Sequence, residues 1–289
     1  EVGSWAIGYW TPKEYFEINV WNCFNNRFKR ILKAKGSQEY LNYKIKETEK
    51  INNLLNANYN LSLFNEPAQI ILGKIPDNSI DYIITDPPHG DRIPYLELSM
   101  LWNSWLKKKV NYENEIIVSN AKERKKDLVN YNELMNNVYS HIYRVLKPNK
   151  YFSLMFNSLD DKTWENLITH LTSIGFVLGK VETLGYSANS IVQDNRKAAL
   201  KTDFVLTFKK PTVRKDKNIK VVDDNKKLIY ELNKIITKNG VETYYIINQL
   251  FHSYLNDGLF FKLSKALNLL KKQYIYKNDK WNIKNGTTV

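Results

Sequence analysis

Asp81-Tyr82-Ile83-Ile84-Thr85-Asp86-Pro87-Pro88-His89-Gly90 is the stretch whose reading decides the fold. Together with Ile80, its first half is a short apolar run of β-branched and aromatic residues, which predicts a buried strand over 80–85. Its second half cannot continue that strand. Pro87 and Pro88 lack backbone donors and fix φ, so a stiff loop follows. Open α/β sheets place their ligands beyond the carboxyl ends of their strands, and Asp86 falls there. An Asp-Pro-Pro triplet arises by chance in roughly one chain in thirty of this length, so position rather than composition gives it weight.

The chemistry open to such a loop is narrow. An exocyclic base amine is a poor nucleophile because its lone pair is delocalised into the ring. Two acceptors aimed at its N–H groups favour the pyramidal form, in which the lone pair is free. Asp86 offers a carboxylate oxygen and Pro87 a main-chain carbonyl, while a flat ring at His89 can stack on an extruded base. Positioning and electrostatics then supply the catalysis, with no metal required. The competing reading is a rigid turn after a strand and nothing more.

Outward from the loop the chain alternates strands and helices. A helix is expected over 130–146 with Leu134, Val138, Ile142, Val145 and Leu146 on one face, ended by Pro148. A strand over 151–156 follows, then a helix over 162–174 with Trp164, Leu167, Ile168, Leu171 and Ile174 inward. Strands over 176–182 and 203–209 close the series as a hairpin. The fold class is α/β: a partial Rossmann-like sheet made of the later strands, spanning 67–211. Residues 1–66 read as a helical segment, with one long amphipathic pattern over 13–35. A charged run over 211–225 reads as a linker. Three helical patterns and a hairpin turning at Asn278-Asp279 then make residues 226–289 a small winged-helix-like domain, for DNA contact or for packing.

Composition sets limits. The chain has 289 residues, 43 Lys and Arg against 30 Asp and Glu, and a net charge of +13. A basic balance fits a nucleic-acid partner through release of phosphate counterions. It fits equally a Lys-, Asn- and Ile-rich composition of the kind AT-rich genomes produce. A lone cysteine, Cys23, excludes an internal disulfide and a cysteine-cluster zinc site. No apolar run approaches the ~20 residues of a membrane span, and no secretory signal is visible, so a cytoplasmic location is expected. The chain begins at Glu1, which is read as a fragment or processed product.

The loop resembles motif IV, (Asp/Asn/Ser)-Pro-Pro-(Tyr/Phe/Trp), of the S-adenosylmethionine-dependent N6-adenine and N4-cytosine DNA methyltransferases. The likeness extends along the chain. The run from Asp77 to Pro88 is similar to the family's approach to this loop. The segment from Gly90 to Ser99, followed by Leu101-Trp102-Asn103-Ser104-Trp105-Leu106, looks like one bacterial subgroup of site-specific DNA methylases. The step from Tyr143 to Tyr151 resembles the helix-to-strand passage after motif IV, and the stretch from Ser187 to Lys210 the closing hairpin. Coverage is about Gln69 to Pro211 and is thinner over 5–35.

The resemblance implies methyl transfer from S-adenosyl-L-methionine to an exocyclic amine in DNA, adenine N6 first and cytosine N4 second, in a restriction-modification setting. It implies Asp86, Pro87, Pro88 and His89 as the catalytic loop. Arg92, Tyr95, Lys122, Arg124, Arg196 and Lys197 are the expected nucleic-acid contacts, against the plainer reading of solvated charge. Two departures stand out. His89 occupies a place expected for Tyr, Phe or Trp, which implies weaker, pH-sensitive or absent activity and tolerance of a tyrosine there. No Phe-x-Gly-x-Gly loop is present, so the residues that bind the cofactor are not identified. The strand over 80–85 would then be a bare edge. A second polypeptide, or a missing N-terminal segment, is expected to bring the glycine loop. His141, His170 and His252 read as core or surface histidines. The rival functions are a catalytically degenerate DNA- or partner-binding subunit and an RNA guanine-N2 methyltransferase, the latter disfavoured by the Trp102–Trp105 segment.

Overall fold

The structure is a computed structural model that describes residues 19–36, 45–55, 59–89, 95–119, 124–158, 160–184, 203–214, 217–236 and 240–284. The chain divides into two units: Glu1–Glu66 with Ile93–Glu115, and Pro67–Arg92 with Ile116–Val289.

Among the described residues the first unit holds one long helix and three brief ones. Helix α1 (Val20–Gly36) is capped by Asn19, whose side chain accepts from the Asn22 N–H at 2.9 Å. Trp21, Phe24, Phe28, Ile31 and Leu32 line one face of it and are exposed, with Trp21 and Phe24 stacked at 5.9 Å. Lys33 and Lys35 sit in its last turn, where cations complement the helix dipole. Helices α2 (Ile51–Leu55), α4 (Tyr95–Leu98) and α5 (Met100–Trp105) are brief. The amphipathic helix expected over 13–35 is therefore found from Val20; residues 13–18 lie outside the described ones.

The second unit is built on a four-stranded mixed sheet of order β1-β2-β4-β3. Its strands are β1 (Ile80–Thr85), β2 (Leu146–Phe156), β3 (Val177–Thr183) and β4 (Phe204–Lys209). β1 and β2 run parallel, whereas β2–β4 and β3–β4 are antiparallel, so the last two strands form the expected hairpin. Strand side chains alternate in direction. One face therefore gathers Phe152, Leu154 and Phe156 with Phe204, Leu206 and Phe208, all buried. Helices α6 (Leu128–Val145) and α7 (Asp161–Ser173) cover it: Tyr139 packs on Phe152 with ring centroids 6.3 Å apart, and Trp164 meets Phe156 edge-on at 4.9 Å. The opposite face carries Tyr82 (53% exposed), Ile84 (59%) and Tyr151. Across it the Tyr82 hydroxyl donates to Ser153 Oγ at 2.7 Å, and Ser153 Oγ meets Thr207 Oγ1 at 2.8 Å.

Cationic side chains fix where β1 begins. Arg144, in the last turn of α6, donates to the Ile75 carbonyl at 2.9 Å, to the Leu72 carbonyl at 2.7 Å and to the Asp77 carboxylate. Those carbonyls belong to the last turn and the C-cap of helix α3 (Ala68–Lys74), where the Leu72 carbonyl also accepts from the Ile75 N–H at 3.2 Å. Lys210, just past β4, donates to Asn78 Oδ1 at 2.8 Å and to the Tyr143 and Leu146 carbonyls at 2.7 Å each. Burial pushes its ammonium pKa down, and the Asp77 carboxylate pulls it part of the way back. On β1 itself, hydrogen bonds from Lys147 and then Lys150 hold the Asp81 carboxyl below its usual value. The lead-in to β1 is thus tied to a helix end and a strand end far away in sequence.

The remaining elements join the same core. The charged segment over 211–225 contains a strand, β5 (Lys220–Val222), which pairs in parallel with β6 (Leu259–Phe261). Helices α8 (Asn225–Ile235), α9 (Thr243–Asn256) and α10 (Leu263–Gln273) follow, then the hairpin of β7 (Tyr274–Lys277) and β8 (Lys280–Ile283). The hairpin turns at Asn278 and Asp279, both with positive φ, as a two-residue turn requires. Phe251 of α9 packs against Trp164 at 5.7 Å and Phe204 at 6.4 Å, so this portion and the sheet share one apolar cluster.

Candidate active site

Asp86 directly follows β1. Because β1 and β2 are parallel with Thr85 level with Leu154, Asp86 leaves the carboxyl end of β1 beside Met155, which is still within β2. The loop's carboxylate is open: the Asp86 side chain is 64% exposed, while Pro87, Pro88 and His89 are half-buried. Pro88 is held from the helix layer. The Tyr131 hydroxyl, in the first turns of α6, donates to the Pro88 carbonyl oxygen at 2.6 Å. Tyr131 is only 2% exposed, and α6 starts where Asp127 accepts from the Asn130 N–H at 2.8 Å, so the donor sits on a well-fixed helix end.

His89 turns back toward the sheet. Its side chain is 11% exposed, and its ring meets Phe156 edge-on with centroids 5.2 Å apart. Nε2 lies 3.3 Å from Asp86 Oδ1 and 3.3 Å from the Met155 carbonyl oxygen. Asn157 and Ser158 continue β2 past this point and are buried; Ser158 offers its carbonyl to the Trp164 indole N–H at 2.8 Å.

Asp86, Pro87, Pro88 and His89 form one irregular stretch directly after β1. Of the expected nucleic-acid contacts, Arg92, Lys122, Arg196 and Lys197 lie outside the described residues. Tyr95 is exposed and belongs to the first unit, whereas Arg124 belongs to the second. Sequence reasoning missed Tyr131, Met155 and Phe156 as the supports of the loop. Tyr131 falls four residues before the buried Met135 and eight before the buried Tyr139, a helical spacing that could have flagged it. The Met155 contribution is a main-chain carbonyl and leaves no trace in residue type.

An open carboxylate thus stands at the carboxyl end of β1, with the Pro88 carbonyl two residues on held by Tyr131. Among the described residues no glycine-rich turn joins a strand to a helix: Gly73 lies within α3, Gly175 follows α7 at φ 110°, and Gly179 lies inside β3. The cradle that would hold a nucleotide-like donor is not found among them. Nor do the described residues hold a group of three or more His, Cys, Asp or Glu placed to bind a metal. Among them, too, no helix is long and apolar enough to cross a membrane.

No protein-family model and no curated protein matches the chain. Among solved structures, it is similar to a Thermus thermophilus protein provisionally assigned as a DNA modification methylase: 11% identity over 57% of this chain and 58% of that one, TM-score 0.30. The same protein complexed with S-adenosyl-L-methionine gives 12% identity over 57% and 59%, TM-score 0.28. A Sulfolobus solfataricus protein provisionally assigned as a type 11 methyltransferase gives 14% identity over 67% and 82%, TM-score 0.23. The chain spans less than two thirds of the methylase's length. Superpositions this loose leave function to be read from the chain's own residues.

Proposed function

We propose that this chain carries the base-binding half of an enzyme that methylates an exocyclic amine in DNA, adenine N6 before cytosine N4, with S-adenosyl-L-methionine as donor. The observation that carries the reading is the Asp86-Pro87-Pro88 loop at the carboxyl end of β1, with the carboxylate open and the Pro88 carbonyl clamped by Tyr131. The donor supplies an electrophilic methyl group. The chain's own residues act on the amine: Asp86 and the Pro87 carbonyl accept hydrogen bonds from its two N–H groups and so favour the pyramidal form, in which the lone pair is no longer conjugated with the ring. Asp86 also lies where positive charge develops on the nitrogen, and its exposure lets the departing amine proton pass to water. Arg92, Tyr95, Lys122, Arg124, Arg196 and Lys197 are proposed contacts to the nucleic acid. The three C-terminal helices and hairpin are proposed as a winged-helix-like element. In support, an antiparallel bridge between Val241 and Trp281 ties the connection between α8 and α9 to the hairpin.

A second polypeptide, or a preceding segment of the same protein, is proposed to bring the glycine cradle and pair along β1. β1 stands at the edge of the sheet, paired among the described strands only with β2. A degenerate, non-catalytic subunit is the second reading, favoured by the lack of that cradle among the described residues. The deciding experiment incubates the protein, together with the polypeptide or preceding segment that supplies the cradle, with isotopically labelled donor and, in parallel, duplex DNA or RNA, and analyses the digested nucleosides by mass spectrometry. Labelled N6-methyladenosine in its deoxy form is expected. Label only in guanine of RNA, or in no base even with the partner present, overturns the proposal.

A further inference from the structure

We infer that His89 is a positioning residue that holds the Asp86 carboxylate, rather than a platform on which an extruded base stacks; this rests on the reading of Asp86 as the residue that meets the amine. A stacking platform must present a ring face to the ligand. The His89 side chain is 11% exposed, and its ring lies edge-on to Phe156 at 5.2 Å with a 68° interplanar angle. The ring is spent on packing.

Its nitrogen is spent on the loop. Nε2 stands 3.3 Å from both Asp86 Oδ1 and the Met155 carbonyl oxygen. A carbonyl oxygen only accepts hydrogen bonds, and an ionised carboxylate does the same. An unprotonated Nε2 would place its lone pair against two others, so these neighbours select the form with hydrogen on Nε2. That N–H donates to the Met155 carbonyl, which links the loop to the end of β2, and it faces Asp86 Oδ1 across 3.3 Å. An exposed carboxylate has several rotamers of similar energy. A donor at Oδ1 restricts them and leaves Oδ2 to accept from the amine.

The consequence runs against simple aromatic equivalence at this position. Phenylalanine would keep the ring and lose the donor. Tyrosine would add an oxygen where the Phe156 ring and the Met155 carbonyl already close the space, at the cost of displacing them. Glutamine keeps an amide N–H at nearly the reach of Nε2 and loses the ring.

Two measurements on the full chain, with its partner where one is required for transfer, test this. Long-range proton–nitrogen NMR at alkaline pH reports which nitrogen of His89 carries the hydrogen and whether Asp86→Ala moves the Nε2 resonance. Hydrogen on Nε2 and a clear shift in Asp86→Ala are expected; hydrogen on Nδ1, or no shift, overturns the inference. In steady-state methyl transfer, His89→Phe is expected to lose at least about tenfold in kcat with KM for DNA changed less than about twofold. His89→Gln is expected to stay within about threefold of native. If His89→Phe keeps or raises kcat while His89→Gln raises KM for DNA, the ring is a stacking platform and the inference is wrong. Failure of the underlying reading looks different: Asp86→Ala would transfer methyl groups normally, or no base would be methylated. The NMR arm decides the His89–Asp86 contact in either case.

Discussion

The Tyr131 hydroxyl donates to the Pro88 carbonyl oxygen at 2.6 Å, so a buried side chain of α6 fixes the far end of a loop whose near end is fixed by β1. Tyr131→Phe removes the hydroxyl that donates to Pro88 and keeps the ring. It is expected to cost about 1 kcal/mol of stability, because the half-buried Pro88 carbonyl loses its Tyr131 donor. Methyl transfer is expected to fall about tenfold in kcat as the loop loosens. Denaturant unfolding and steady-state kinetics of the one variant check both. A variant equal to native in each shows that the clamp does not matter.

Asp86 is open, and its loss should leave the fold standing. Asp86→Ala is expected to unfold at the native temperature and to lose transfer by about 10²–10³ in kcat. Thermal melts and the nucleoside assay separate the two effects. Near-native transfer would move the active site elsewhere.

His170 gives the protein an acid-side dependence of stability. It lies on α7 with Nε2 3.0 Å from the Asn136 carbonyl oxygen of α6. Burial lowers its pKa from the usual 6.5, the Asn136 carbonyl partly opposing the shift. A histidine with a depressed folded-state pKa binds protons less readily when folded than unfolded. Its contribution is therefore fully present above the unfolded pKa and is lost as pH falls through the lower, folded value. His170→Gln should show a shallower loss of stability below about pH 6.5 than native protein. Urea midpoints at three or four pH values measure the slopes, and parallel slopes reject the assignment.

Donor binding should need the glycine cradle proposed to come from a second polypeptide or a preceding segment. The isolated chain is expected to bind S-adenosyl-L-methionine weakly or not at all. A partner polypeptide with a Phe-x-Gly-x-Gly strand–turn–helix unit should restore binding and raise the melting temperature, since binding to the folded state alone stabilises it. Calorimetric titration decides. Tight stoichiometric binding by the chain alone would place the cofactor site within it.

Much of the frame was legible because it rests on local pattern. The run Ile80–Thr85 is a strand with the expected ends, but the expected burial is not found: none of its residues is buried, because it stands at the edge of the described sheet with Tyr82 and Ile84 on the open face. Helix α7 buries Trp164, Leu167, Ile168 and Leu171 as its spacing requires, and the β7–β8 hairpin turns at Asn278-Asp279. On α6 the pattern succeeded less well. Val138, Ile142 and Val145 are buried as expected, but Leu134 is only half-buried, and Tyr131, Met135 and Tyr139 take a large share of the core. Tyrosine carries both an apolar ring and a hydroxyl, so its place inside or outside depends on whether a partner is at hand. The β5–β6 pair was invisible for another reason: three residues per strand are too few to show a period, and their partners are 39 residues apart. In the site, residue type gave the loop itself. It could not give the direction of the His89 ring, which is set by Phe156 and a main-chain oxygen 66 residues away.

Helix α6 touches the β1 segment at both of its own ends. Near its start Tyr131 holds Pro88, and near its finish Arg144 and the Val145 carbonyl hold Asp77 and the Ser79 N–H. The helix therefore works as a phase gauge for the strand and its loop. One residue inserted between Tyr131 and Arg144 would rotate the two anchors by about 100° relative to each other and part them by about 1.5 Å. Both could not then be kept, even with an excellent helix former as the inserted residue. The length and winding of α6 are thus as much a part of the site's specification as the residues of the loop.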